Sequence, residues 1–492
     1  MNKHLICMVF SLITALNLYS QETKPLRLTI EEAIDLARRQ SSDVVAARHT
    51  FHAAYWNYRY FRANYLPAVS FSSTPNFNHQ INVITMPDGT SQFVQQNQLI
   101  VDGNISMSQN VSFTGGTVSL STGINRLDLF GTVNSHTYRT NPVSISYQQS
   151  LNGYNSYKWE RKVEPLRYEI AKKNYVVTLE RVSSNVISLF FSLAMAQTNL
   201  DMARTNYQSA DTLYAFAKGR YKIGRITESE MLQLEVKRLN EETNLLNAKV
   251  SLEDNMQTFR IYLGIKDTIP IAVNINTVIP DLNIDPYKAL NLAMENNPTI
   301  LDMKRRELES ESSVAYYKAN TGFQADLYAL FGLSKTSDEL KAAYKDPINQ
   351  QYAQVGIKVP ILDWGRNKGR LKVAESSRRL TEIQLEQERI DFEQDVLRLV
   401  RQFNLQTNQI RVAEKTDYTA NKRNDVAQRL YVLGRSTILE LNSAITEKDA
   451  AKRNYINTLS NFWLYYYNIR RLTLYDFEKN MLLSEDYESL LK

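Results

Sequence analysis

The chain has 492 residues, and its 58 lysines and arginines against 52 aspartates and glutamates leave a formal charge of +6. Spread as mixed-sign stretches, that surplus describes solvated helix faces and argues against a nucleic-acid partner. The only cysteine, Cys7, lies in the opening apolar run, which excludes disulfides, thiolate metal sites and a cysteine nucleophile from the remainder of the chain.

Residues 1–20 read as an export signal: Lys3 and His4 lead into an apolar run from Leu5 to Leu16, and the small residue Ser20 precedes Gln21. The run is short for a bilayer span, so cleavage is expected. No later stretch approaches 18 consecutive apolar residues, so any membrane insertion is expected through a closed β-barrel. Residues 21–66 hold a first helix, capped by Thr29 with Glu31 and Glu32 in its first turn and ended by Pro67. Residues 67–153 form a β segment with strands at 69–73 and 143–147. Between them Asn104 to Met107 leads through Gly115-Gly116 to Val118 to Ser121, the pattern of an additional hairpin that could lengthen a loop, form a plug or displace a strand, a loop or plug element being the expectation.

Residues 154–264 follow as a long helix, a tip turn and a return helix. Pro165 should kink the long helix rather than end it. The segment Tyr221-Lys222-Ile223-Gly224-Arg225 supplies the turn, with the glycine free to take positive φ. Leu232, Val236, Leu239, Thr243, Leu246 and Val250 then draw a coiled-coil seam along the return helix. After a linker at 265–284, a helix at 285–322 opens on the cap Asp285-Pro286. The β segment at 323–363 has two strands, the second alternating Gln354, Gly356 and Lys358 with Val355, Ile357 and Val359. A second long helix, tip turn and return helix occupy 364–475, and 476–492 is a tail. Neither glycine nor proline occurs between Gly369 and Gly434, a stretch of roughly 96 Å if helical at about 1.5 Å per residue.

The two halves share one plan. The stretch from Ile30 to Ala37 recurs from Pro286 to Ala293 at an offset of 256, and the Tyr221 turn recurs as Tyr431-Val432-Leu433-Gly434-Arg435 at an offset of 210. The copy is too long for a solenoid repeat. The change of offset places 46 extra residues in the first-half β segment.

This pattern resembles the TolC family of outer-membrane channel proteins. The resemblance rests on the Leu-Thr-x-x-Glu-Ala opening from Leu28 to Ala33, the strand exit Val359-Pro360-Ile361-Leu362-Asp363-Trp364-Gly365-Arg366, and the paired Tyr-x-x-Gly turns. It implies a mixed fold: a homotrimer in which each chain gives four strands to a 12-stranded outer-membrane β-barrel and its helices to a long periplasmic coiled-coil tunnel. It also implies docking of a periplasmic adaptor protein and an inner-membrane pump at the tip, with outer-membrane lipid around the barrel. By matching positions, Glu440 would line the narrow entrance and Glu230 would couple to Tyr431 and Arg435 of a neighbouring turn. The family arginine falls one position later, where this chain has Ser436, so that bond is expected to be rearranged or absent. The adaptor-docking turns would be Ile223, Gly224, Arg225 and Thr227, and Leu433, Gly434, Ser436 and Thr437. Tyr154, Trp159 and Trp364 would sit in the interfacial aromatic belt. Acids near a helix start are also favoured by the helix dipole alone, and aromatics at a bend by packing alone.

No hydrolase, phosphate-loop, zinc-protease or dinucleotide motif is present, so no catalytic residue, cofactor or metal is expected. His49 and His52 at i, i+3 read as helix-packing residues among Phe51, Tyr55 and Trp56. The aromatic run from Phe462 to Tyr467 is expected to pack a girdle around the tunnel. The expected function is therefore a passive exit duct; the competing reading is a periplasmic scaffold or adhesin arm without a barrel.

Overall fold

The computed structural model describes residues 26–131, 133–266, 269–275 and 277–491. The expected export signal at 1–20 lies outside the described residues. A short strand β1 (Leu26–Leu28) leads into α1 (Ile30–Gln40) and α2 (Ser42–Ala63). The first β segment holds β2 (Ala68–Ser72), β3 (Asn76–Thr85), β4 (Ser91–Val111), β5 (Gly116–Leu129) and β6 (Ser135–Ser150), followed by α3 (Ser156–Lys222) and α4 (Glu228–Tyr262). The second half runs β7 (Ile271–Val273), α5 (Pro286–Asn296), α6 (Pro298–Ala319), β8 (Gln324–Ser337), β9 (Ile348–Lys358), α7 (Arg366–Val432) and α8 (Ile438–Thr473). Short β10 (Tyr475–Asp476), β11 (Met481–Leu482) and α9 (Tyr487–Leu490) complete it.

Helix lengths match between the halves: 11 and 11 residues for α1 and α5, 22 and 22 for α2 and α6, 67 and 67 for α3 and α7. Each opening helix, expected as one piece, is broken in two. Ser41 takes an extended conformation between α1 and α2, and Asn297 does so between α5 and α6. At the second break Pro298 disfavours helical geometry in the residue before it. At the first, Ser41 Oγ accepts the Val44 amide and begins α2 afresh. α3 runs on through Pro165, which sits within its first three turns.

The residues fall into two compact units: one takes the chain up to Phe51, Lys172–Asn297 and Asp391 onward, the other His52–Ala171 and Pro298–Ile390. The first unit is helical around a core of Val182, Val186, Phe190 and Leu193 from α3, Phe403 from α7, and Leu459, Phe462 and Tyr466 from α8, all buried. Hence the stretch of α3 that is apolar enough to cross a membrane is instead a core stretch. Phe403 packs on Phe462 at 5.1 Å between ring centroids, and Phe462 meets Trp463 edge-on at 5.5 Å. β1 pairs in parallel with β7. Among the described residues of the second half no strand does this work at the equivalent place: the Asn404 side chain accepts from the Ile284 amide (3.0 Å) and donates to its carbonyl (2.8 Å), imitating a strand neighbour.

The same unit buries an ionic group that joins three chain segments. Glu180 of α3 is 1% exposed and accepts Arg470 Nε at 2.9 Å, while Arg38 of α1 also bonds Glu180. Arg470 reaches on to Asp476, which takes a hydrogen bond from the Tyr466 hydroxyl at 2.8 Å. Burial alone would raise the Asp476 carboxyl pKa, but the Lys479 amide, Tyr466 hydroxyl and Arg470 guanidinium outweigh it and hold the carboxyl below its ordinary range.

The second unit carries one antiparallel sheet in the order β2-β4-β5-β6-β8-β9, with β3 also paired to β4. This corrects the expectation of four strands per chain. β2 pairs with Asn104 to Ser108 of β4, and β3 with Ser91 to Ile100, so β2 and β3 are one strand interrupted at Ser73-Thr74-Pro75. Proline cannot donate to a ladder. The gap is stitched instead by Asp102, whose carbonyl accepts Ser73 Oγ at 2.5 Å and whose carboxylate accepts the Thr74 amide at 3.0 Å. The sheet is therefore six strand positions wide. The expectation of a loop or plug for the 104–121 hairpin also fails: β4 and β5 are full members of the sheet, each paired on both sides.

Candidate functional site: the tip turns and the two-faced sheet

Both tip turns end their long helix in the same way. Gly224 and Gly434 have φ of 67° and 71°, the left-handed region that costs glycine nothing. The amides behind them reach back in a Schellman pattern: Arg225 to the Arg220 carbonyl (2.9 Å) with Gly224 to Tyr221 (2.9 Å), and Arg435 to Leu430 (2.8 Å) with Gly434 to Tyr431 (3.0 Å). The following helices then start in the same way. Thr227 and Thr437 are N-caps whose hydroxyls accept the Glu230 and Glu440 amides, while those glutamates bend back to the Thr227 and Thr437 amides at 3.0 and 3.2 Å. Each is a complete capping box.

The acids expected at the gate are thus engaged with their own helix starts. Among the described residues, no hydrogen bond or ion pair joins Glu230 to Tyr431 or Arg435. The turns are tied by a residue that motif reading missed: Arg220 donates to the Val432 carbonyl at 2.7 Å, from the end of α3 to the end of α7. The signal was available in the duplication, where the residue before the turn tyrosine is Arg220 in one copy and Leu430 in the other. Burial pushes the Tyr431 phenol upward, with Arg220 opposing and Glu230 adding to the shift, so these three groups share one electrostatic neighbourhood. Glu440 has a further partner that Glu230 lacks: Ser436 Oγ donates to its carboxylate at 2.5 Å. That bond, with the Thr437 amide, holds the Glu440 carboxyl below its ordinary range.

The sheet has two chemically distinct faces. Following the registers, Val69, Phe71, Phe77, Leu99, Val101, Ile105, Met107, Val118, Leu120, Ile145, Phe331, Val355 and Ile357 share one face. The other face carries a row in which Ser70, Ser106, Ser121 and Ser144 stand directly opposite one another on four neighbouring strands, continued by Gly332 and Gln350. Ser70 bonds Ser106 at 3.0 Å and Ser121 bonds Ser144 at 2.8 Å. An apolar outer face backed by a polar inner one is the signature of a barrel wall in lipid.

Where β9 passes into α7, Asp363 accepts the amides of Gly365 (2.9 Å) and Asn367 (3.1 Å) and so starts the helix. Trp364 stands between them at φ 55° and is 89% exposed, beside Ile361 at 96%. Its first-half counterpart Tyr154 is instead half-buried, bonded to Ser312 Oγ at 2.5 Å and edge-on to Tyr316 at 5.4 Å. Trp159 is half-buried under Lys162, whose ammonium lies 4.9 Å from the ring centroid. Among the described residues no three His, Cys, Asp or Glu side chains gather as a metal would require.

A two-faced antiparallel sheet whose strands run into 67-residue helices defines the class of outer-membrane channel proteins with a helical extension. The profile of the outer membrane efflux protein family matches residues 116–264 and 289–464, and the chain belongs to that family. No curated protein matches the sequence. Solved structures share the fold, three of them channels from other bacteria. The CmeC outer membrane channel of Campylobacter jejuni is 14% identical at a TM-score of 0.66, over 90% or so of each chain (94% of this one, 88% of that). VceC of Vibrio cholerae is 13% identical at 0.62, covering 90% of this chain and 95% of its own. The open state of the MtrE channel of Neisseria gonorrhoeae is 13% identical at 0.59, covering 90% and 88%. The protein is accordingly an outer-membrane efflux channel of Gram-negative type, and the barrel-less scaffold reading is set aside.

Proposed function

We propose that this chain is the outer-membrane duct of a tripartite efflux or type I secretion system, working as a homotrimer and doing no chemistry of its own. The observation that carries this reading is the sheet: one apolar face, one hydroxyl-lined face, and two edges, β2–β3 and β9, that have no partner strand among the described residues. Unpaired strand edges are not tolerated in hydrocarbon, so the wall must be completed by further copies. In the family plan two repeats per chain make six units around the tunnel. The matched helix lengths of the two halves support that duplication.

The tip turns at Ile223 to Thr227 and Leu433 to Thr437 would be where a periplasmic adaptor docks, bringing the inner-membrane pump that supplies energy. Both present exposed aliphatic residues, Ile223 and Leu433, on rigid left-handed turns. The closed tip is held by Arg220 on Val432, with Tyr431 beside it and Glu440 at the entrance. Docking opens it only if the adaptor binds the opened turns more tightly than the closed ones. Tyr154, Trp159 and Trp364 would mark the inner rim of the lipid belt.

Reconstitution tests the reading. The purified protein should run as a heat-modifiable trimer, stay in the outer membrane through a carbonate wash, and give discrete conductance steps in planar bilayers. A monomer that washes off, or a trimer without conductance under any voltage, sinks it.

A further inference from the structure

We infer that each protomer supplies six strand positions to the barrel, so that three copies close an 18-stranded wall, with the β2–β3 edge of one copy pairing antiparallel to β9 of the next. This rests on the trimeric duct proposed above and changes its mouth.

The added hairpin is built into the wall. The β4–β5 turn at Ser112 to Gly115 is seated among the ends of the flanking helices. Gln109 Nε2 donates to the Tyr65 carbonyl at 2.8 Å and Asn110 Nδ2 to the Asn64 carbonyl at 3.1 Å, just beyond α2. From the start of α3, Asn155 Nδ2 donates to the Ser112 carbonyl at 3.1 Å and Arg161 to Ser112 Oγ at 3.2 Å. Gln149 Nε2 donates to the Thr114 carbonyl at 2.9 Å. Gly115 has φ of 83°, and a Cβ on Gly116 would lie 2.5 Å from Gln149 Oε1 and 2.6 Å from the Gln148 carbonyl, so the turn fits only as it is. A plug folded into the pore would leave Val101, Ile105, Met107, Val118 and Leu120 facing water. In the wall they continue the apolar face of β2 and β6 without a change of side.

The edges are complementary. β2 leaves the α2 helix and β9 enters the α7 helix, so the two edges of copies standing side by side run antiparallel. Such a contact uses two different surfaces and closes as a ring rather than a pair. Because barrel diameter grows roughly linearly with strand number, 18 strands give a mouth about 1.5 times as wide as 12. Above the wall, β4 from Ser91 to Gln96 pairs with β3 alone, so the β3–β4 hairpin rises past β5 as a free ribbon.

Single-particle electron cryo-microscopy of the full protein in detergent counts the strands directly. A trimer with 18 strands supports the inference. A trimer with 12, and the hairpin outside or inside the ring, overturns it while leaving the duct reading intact; any other ring order overturns both. The seam is checked separately by Phe71→Cys combined in turn with Ala353→Cys, Val355→Cys or Ile357→Cys, which share its face of the sheet. Cys7 is the chain's only native cysteine, so background is low. Oxidation with copper phenanthroline should give covalent trimers for at least one pair; none for all three overturns the proposed seam.

Discussion

The first and second halves differ least at their tip turns and most in their sheets. The turns keep the same glycine geometry and the same capping box, and change only what hangs on them: Arg220 against Leu430, Ile226 against Ser436. The sheets differ by a whole hairpin. A strand that leaves a helix must bring the chain back to the helix side, so a wall of this kind can grow only by two strands at a time. The lesson is that the backbone of the two halves is alike where it turns, and differs in decoration at one end and by an even number of strands at the other.

The largest asymmetry to break is the buried ionic group. Arg470 binds Glu180 and Asp476, whereas the equivalents Arg260 and Ile390 form no such pair. Arg470→Ala leaves Glu180 buried without its main cation and should cost about 3–5 kcal/mol. Arg260→Ala should stay within about 0.5 kcal/mol. Urea titration followed by helical circular dichroism compares them, and equal midpoints would remove the distinction.

Next comes the hairpin. Gly116→Val should destabilise the wall by about 1–3 kcal/mol through overpacking. Gly131→Val is the control, since nothing lies within 4 Å of a Cβ there. The fraction of heat-modifiable trimer on unboiled gels is the readout, and indistinguishable fractions would argue that the β4–β5 turn is not seated as described. At the tips, Arg220→Ala should raise conductance roughly fivefold, as expected for losing one hydrogen bond from a charged donor in partly screened surroundings. Leu430→Ala should not, and a matching rise in both would show that the tie is not specific to Arg220.

The smallest effect separates the two capping glutamates. The Glu440 carboxyl is held below its ordinary range, so its capping contribution is complete above the unfolded-state value, about pH 4.3, and is lost as pH falls through the lowered folded value. Ser436→Ala removes the first cause of that shift. The acid-induced change in channel conductance should then begin at a slightly higher pH than in the native protein, and an unmoved acid limb would assign the shift elsewhere.

Much of this was legible in the sequence because some backbone conformations demand particular residues. Gly224 and Gly434 mark places where only a few side chains work, and they led to the turns and, with the strand exit around Asp363, to the family; the capping roles of Thr227, Thr437 and Asp363 emerge only from the structure. The strand number was not legible in the same way. β4 and β5 are rich in serine, asparagine and glycine, so their alternation is faint, and pairing on both sides is a long-range property. Nor could the Glu180 partner of Arg470 be read, since it is 290 residues away. The breaks at Ser41 and Asn297 were in reach: a proline at 298 and a serine at 41 are ordinary boundary signals that the strong helical periodicity on either side masked.

The opposed serines of the sheet carry one more implication. A hydroxyl can turn to give or to receive a hydrogen bond, and it carries neither charge nor grease. Multiplied around a pore, such a lining would hold a film of water over which solutes of either sign glide with little retention. In the duct proposed above, a conduit surfaced in that way would resist fouling by its own traffic.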